Sequence, residues 1–155
     1  MKLILFSMIL LLAVLTGCSG SRQSTNDLKL EIVNHQIDSW VNLMPGSKPS
    51  FFISGSINLK NNEESNIDSV RLLKCEVLQE GNKIYELHPD LRSSVWNMDP
   101  LQPGTDRLFT LYLQSGTPIK KELNFEKPVT VSLYLSALNR MNHYNIDSIY
   151  VMKTY

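Results

Sequence analysis

Four kinds of side chain in this sequence could carry chemistry: a thiol, imidazoles, neighbouring serine hydroxyls and paired carboxylates. Cys75 lies between Leu73 and Val77 in an alternating run, with Lys74 and Glu76 on the other parity. Its thiol is therefore expected to face inward as packing. A reactive cysteine needs an exposed, electropositive setting, and Lys74 points away from it. His35, His88 and His143 contain no pair at the short spacing of a structural zinc site. Met141 and His143, with Met98, offer ligands of the kind copper accepts, but a single Met-x-His makes no site. No metal and no other cofactor is expected. Ser54-Gly55-Ser56 is not Gly-x-Ser-x-Gly, and it lies inside an alternating run rather than on a strand-to-helix elbow. Glu63-Glu64 and Glu122/Glu126 fall in polar connections where carboxylates stay solvated, whereas acid–base work needs burial or a like-charged neighbour. Gly81, Gly104 and Gly116 are isolated turn glycines, not a phosphate loop. No catalytic activity is expected.

Side chains suited to recognition are better represented. Tyr134 opposes an inward series running from Val131 to Leu135, and Tyr150 and Met152 alternate with Ile149 and Val151. Leu72 and Leu78 take the parity opposite to Leu73, Cys75 and Val77. Together Tyr134, Tyr150, Met152, Leu72 and Leu78 are expected to form an amphipathic patch for a protein partner. In the connection 89–104, Leu91, Val95, Trp96 and Met98 are costly to leave wet. Trp96 is read first as a lid over one end of the domain and second as a partner-binding anchor. Trp40 is expected to be buried. An alternative use of the same sequence is a small-ligand or metal-binding module built from the loops 89–104 and 139–145.

These side chains must be positioned by strands. After residue 27 short alternating runs are separated by Gly, Pro, Asn and Asp, and no helical stripe persists for three turns. Strands are expected from residue 28 toward 41, over 51–60, 67–79, 83–88, 105–114, 129–138 and 146–154. Glu80-Gly81-Asn82 should close a hairpin. Residues 89–104 contain three prolines and read as a long connection, and 139–145 read as a loop. About seven strands at regular turn spacing predict an all-β, immunoglobulin-like or fibronectin-III-like antiparallel sandwich over 28–155. Charge excludes one class of partner. Beyond residue 17 the chain holds 14 basic and 15 acidic side chains, so it lacks the footprint of a nucleic-acid binder.

The first segment is an address. Lys2 precedes an apolar run over 3–14, too short for the roughly 20 residues of a membrane span, and then Leu15-Thr16-Gly17-Cys18. That tetrapeptide resembles the lipobox of bacterial lipoproteins. The resemblance implies that 1–17 is a signal peptide and that Cys18 is lipidated to become the new N-terminus. It also implies a bacterial protein held on a membrane surface through its N-terminal lipid. Ser19 after the anchor implies the outer membrane, where the envelope has two, facing the periplasm or the cell surface. Residues 18–27 then read as the lipidated Cys and a Ser-rich tether reaching roughly 30 Å when stretched.

A second resemblance rests on Gly55-Ser-Ile57-Asn-Leu59-Lys-Asn61-Asn62, on the run 75–86, and on Leu101-Gln-Pro103-Gly104 followed by Phe109. This series is similar to immunoglobulin-like domains of secreted bacterial proteins, including the FxLYD type. Val77-Leu78-Gln79-Glu80 stands where that type carries its aromatic-x-Leu-Tyr-Asp run. The resemblance implies the sandwich fold and leaves the task open, because this fold serves many. The expected task is non-catalytic: an accessory module that binds an envelope protein.

Overall fold

The computed structural model describes residues 27–94 and 99–155. Among them are ten strands and no helix: β1 (Leu30–Asn42), β2 (Ser50–Asn61), β3 (Arg71–Gln79), β4 (Asn82–Leu87), β5 (Asp90–Ser93), β6 (Asp106–Tyr112), β7 (Thr117–Pro118), β8 (Val129–Ala137), β9 (Arg140–Ile149) and β10 (Val151–Thr154). Sheet I runs β10-β1-β2-β6-β5, with β7 also against β2, and sheet II runs β4-β3-β8-β9. All pairings are antiparallel except β1 with β10. Placing the first, second, sixth and fifth strands opposite the third, eighth and ninth is the immunoglobulin arrangement. The all-β sandwich is what alternation and turn spacing predict.

The period of two builds the core directly. Phe51, Ile53, Ile57 and Leu59 of β2 face Cys75 and Val77 of β3 and Val131, Leu133 and Leu135 of β8, all fully buried. Phe51 stacks on Tyr85 with centroids 4.7 Å apart. At the end where the chain enters, a smaller cluster of Leu28, Leu30, Ile67, Leu101 and Ala137 continues the apolar layer. There the first described residues are clasped by side chains. Arg140 donates to Asp27 O, Asn142 to Leu28 O and Tyr144 to Leu30 O, while Lys29 N–H donates to Glu63 at 2.6 Å. Asn61, buried among these groups, donates through Nδ2 to Ser65 O and Leu101 O and accepts Glu63 N–H.

The strand count and four placements differ from expectation, each for a local reason. Asp90–Ser93 forms an edge strand on β6 within the expected connection, and Thr117–Pro118 pairs briefly with β2. Residues 140–145 are strand rather than loop. Leu138 and Asn139, both with left-handed φ (51° and 58°), make a two-residue hairpin turn, so β9 begins at once. In β3 the register slips between Leu72 and Lys74. Leu73 is the extra residue of this bulge and turns outward at 46% exposure, while Leu72 packs against the core. The parity of both leucines is thus the reverse of that expected. A similar slip at Val33 sets the parity of β1, so Ile37, Ser39 and Val41 face in and Trp40 faces out, half-buried rather than buried.

Candidate functional site

The side chains expected to form one patch lie in three places. Leu72 is against the core, as above. Tyr134 is on the outer face of sheet II. Met152 belongs to the other sheet and Tyr150 links the two: Ser148 takes a left-handed φ of 62°, a bulge places both Ile146 and Ile149 inward, and the chain crosses to pair as β10 with β1. Leu78 is half-buried on sheet II. Trp96, Val95, Met98 and the lipobox with Cys18 lie outside the described residues.

Tyr134 is held within a charged network rather than presented freely. Its hydroxyl donates to Glu76 at 3.0 Å, Lys74 sits 4.5 Å from its ring centroid, and its ring stacks on His143. Glu76 also accepts from Lys74 at 2.7 Å and Lys83 at 3.1 Å, and both lysines reach Glu86. The bonds from Lys74, Lys83 and Tyr134 hold the Glu76 carboxyl down to about 2 against the partial desolvation that opposes them. The same carboxylate raises the Tyr134 phenol. Because the folded value of Glu76 lies below its unfolded one, its contribution is complete above the ordinary carboxylate range. It is lost as pH falls toward 2. Glu76→Gln is therefore expected to lower stability at pH 7 and to flatten the acid limb between about pH 5 and 2. Urea unfolding of both proteins across that range measures it; parallel acid limbs would contradict the network's role.

The remaining chemical candidates are placed as follows. Cys75 is fully buried, and burial pushes its thiol to about 12, so it is packing and not a nucleophile. Ser54 and Ser56 lie on the outer face of β2 on either side of Gly55. Glu63 is not solvated as expected. Its side chain is 10% exposed, accepts Lys29 N–H and pairs with Arg140 at 2.9 Å, which holds its carboxyl low. His88 contacts Leu73 O through Nδ1, and His143 is on β9. Among the described residues no three His, Cys, Asp or Glu side chains gather as a metal would require.

The outer face of sheet I brings together residues that sequence reasoning separated. Met152 is opposite Trp40 across the β10–β1 pair, and Trp40 is opposite Phe52 across β1–β2. Trp40 and Phe52 stack with centroids 5.4 Å apart and planes 7° from parallel. Gly116 closes the row: a Cβ there would meet Phe52 Cζ at 2.4 Å, so the chain lies tight against that ring. Tyr150 and Met152 are 64% and 54% exposed at the open end. Parity within β1 was the signal that could have placed Trp40 here, since Ile37 and Val41 fix the inward set. The row lies near the C-terminal end of β1, and the chain enters at Leu28. About ten strand residues, roughly 33 Å, separate the two.

Compared with protein-family models, with curated proteins and with solved structures, the chain has no match, so its chemistry rests on its own residues. What the row can do is bury aromatic and thioether surface against another surface, the contact type that dominates protein interfaces.

Proposed function

We propose that this chain is a lipid-anchored envelope protein whose sandwich domain binds another envelope protein and performs no catalysis. The observation that carries this reading is the outward row Met152–Trp40–Phe52, with Tyr150 beside it. Leu15-Thr16-Gly17-Cys18 supplies the anchor in this reading, with Cys18 lipidated and the bacterial membrane as the second partner. The row then stands at the end of the domain away from the lipid, and the tether adds reach. Holding the domain at a membrane raises its effective concentration toward any co-anchored protein, so a small contact suffices.

The test is crosslinking in intact producer cells followed by capture of the lipidated protein. One and the same envelope protein is expected in repeated captures. Tyr150→Ser/Met152→Ser should reduce its yield about tenfold with the melting temperature unchanged, since both side chains are exposed. Undiminished capture would remove the row from the account. Capture of the protein alone, with a working crosslinking control, would overturn the partner reading. Cys18→Ala should release the protein from the membrane fraction, and continued fractionation with membranes would overturn the anchor.

A further inference from the structure

The outer faces of the sandwich carry both bonded and unbonded polar side chains. On sheet II these groups bond to one another: Lys74, Glu76, Lys83, Glu86 and Tyr134 in one network, Ser132 with Asn145, and Thr130 with Asp147. On sheet I Asp90 bonds Arg92 and Gln114, and Asn58 bonds Asp106, but Gln36, Ser56 and Thr110 form one cross-strand line in which none makes a side-chain bond within the described residues. The next line pairs Asn34 with Asn58. Between them lies a depression of about 320 Å³ lined by Asn34, His35, Gln36, Ser56, Asn58 and Leu108. Among the described residues its wall contains no carboxylate or ammonium, and the Asp106 carboxylate adjoins it through its bond to Asn58.

Each asparagine in the depression has half of its carboxamide engaged. Asn34 Oδ1 accepts the amide of His35 at 2.8 Å, which leaves its two N–H donors open. Asn58 Nδ2 donates to Asp106, which leaves Oδ1 open as an acceptor. Directly opposite residues on paired strands have Cβ atoms about 5 Å apart. An open donor and an open acceptor therefore stand side by side, the complement of a secondary amide's C=O and N–H. Leu108, 45% exposed, borders them with apolar surface. Gln36, Ser56 and Thr110 continue the site with neutral donors and acceptors.

From this pattern we propose that the depression binds a neutral oligosaccharide carrying acetamido groups. Asn34 and Asn58 take the amide, Leu108 takes its methyl, and Gln36, Ser56 and Thr110 take ring hydroxyls. A peptide also carries secondary amides, but it lacks the hydroxyls that the second line of side chains would meet. This site adjoins the aromatic row and does not depend on the protein-partner reading.

Calorimetric titration of the full lipidated protein in detergent micelles tests it, with the tetramer of β-1,4-linked N-acetylglucosamine as probe. Cellotetraose and N-acetyl-trialanine amide are the controls. Saturable binding of the acetamido tetramer is expected, with both controls at least about tenfold weaker. Gln36→Ala/Ser56→Ala should weaken it about tenfold. Among the described residues neither side chain has a partner, so the melting temperature should hold; Thr110→Val repeats the test one strand away. Tyr150→Ser/Met152→Ser should leave sugar affinity unchanged, which separates this site from the protein-binding row. Absence of saturable heat at millimolar sugar overturns the proposal. Equal binding of cellotetraose or of the peptide amide overturns the ligand class, and insensitivity to both sets of variants overturns the location.

Discussion

Gly55→Ala is expected to destabilise the domain by about 3 kcal/mol or more, at the upper end of what overpacking costs. Gly55 sits mid-strand in β2, paired with Ile37 of β1 on one side and Leu111 of β6 on the other. A Cβ there would lie 2.1 Å from Gln36 O and 2.8 Å from Ile37 Cα. Both obstacles are backbone, so no rotamer change relieves them. Relief requires β1 to move off β2, which would disturb ladder bonds and the fully buried Val41 and Ile53 nearby. Urea denaturation measures the loss, read as a lower midpoint at constant slope. A midpoint within experimental error of the parent would show that the two strands yield more easily than their close approach implies.

The second large effect is at Asn61. Asn61→Ala is expected to cost about 3 kcal/mol, because it removes three hydrogen bonds between a buried side chain and the backbone. Ser65 O loses its donor at 2.9 Å, Leu101 O loses the one at 2.8 Å and keeps Ile67 N–H, and Glu63 N–H loses its acceptor at 2.8 Å. The backbone of Asn61 is also bonded at both ends, to Thr105 O and from Gly104 N–H. Its side chain thus locks the loop after β2 to the segment 101–104. Asn61→Asp separates the two halves of the effect. It keeps the acceptor for Glu63 N–H and sets carboxylate oxygen against two carbonyls, so it should be at least as damaging as Ala. Thermal unfolding of the three proteins gives the ranking, and an Asp variant as stable as the parent would contradict the donor role.

Both residues belong to the Gly-x-Ile-x-Leu-x-Asn series that was legible in the sequence, and the structure explains its spacing. Gly55 admits β1, Ile57 and Leu59 enter the core, and Asn61 ties the strand end to Leu101 and Gly104 of the Leu-x-Pro-Gly segment. The motif is thus architectural. The hairpin at Glu80-Gly81 was legible because its second residue is glycine at left-handed φ. The turn at Leu138-Asn139 was not, because leucine at left-handed φ carries no such signature. Strand β9 was hidden for a further reason. Its inward positions near the turn are Asn142 and Tyr144, which bond to the clasped N-terminal residues instead of supplying aliphatic alternation.

The candidate surface was less legible than the fold. A period of two carries one bit per residue, whether a side chain faces in or out, and a single bulged residue inverts that bit downstream. Leu73 does this in β3 and Val33 in β1, so Leu72 was misplaced. Tyr150 and Met152 were correctly read as outward, but which sheet they join depends on Ser148 and the crossover. Neither leaves a mark in composition. The pairing of Trp40 with Phe52 is likewise a matter of register between strands, which no single run discloses.

The clasp around residues 27–30 has a mechanical meaning. In the reading proposed above, a domain anchored through its N-terminus and gripped at Phe52 of β2 is pulled along β1, parallel to the strands. The 12 residue pairs between β1 and β2 then resist in shear, loaded together rather than opened singly. Arg140, Asn142, Tyr144 and Glu63 carry part of that load into β9 and the loop after β2 before it reaches the ladder. Under such tension, lifetime is set by the rate of unfolding and not by equilibrium stability. In that reading the domain would keep its grip when membrane and partner are drawn apart.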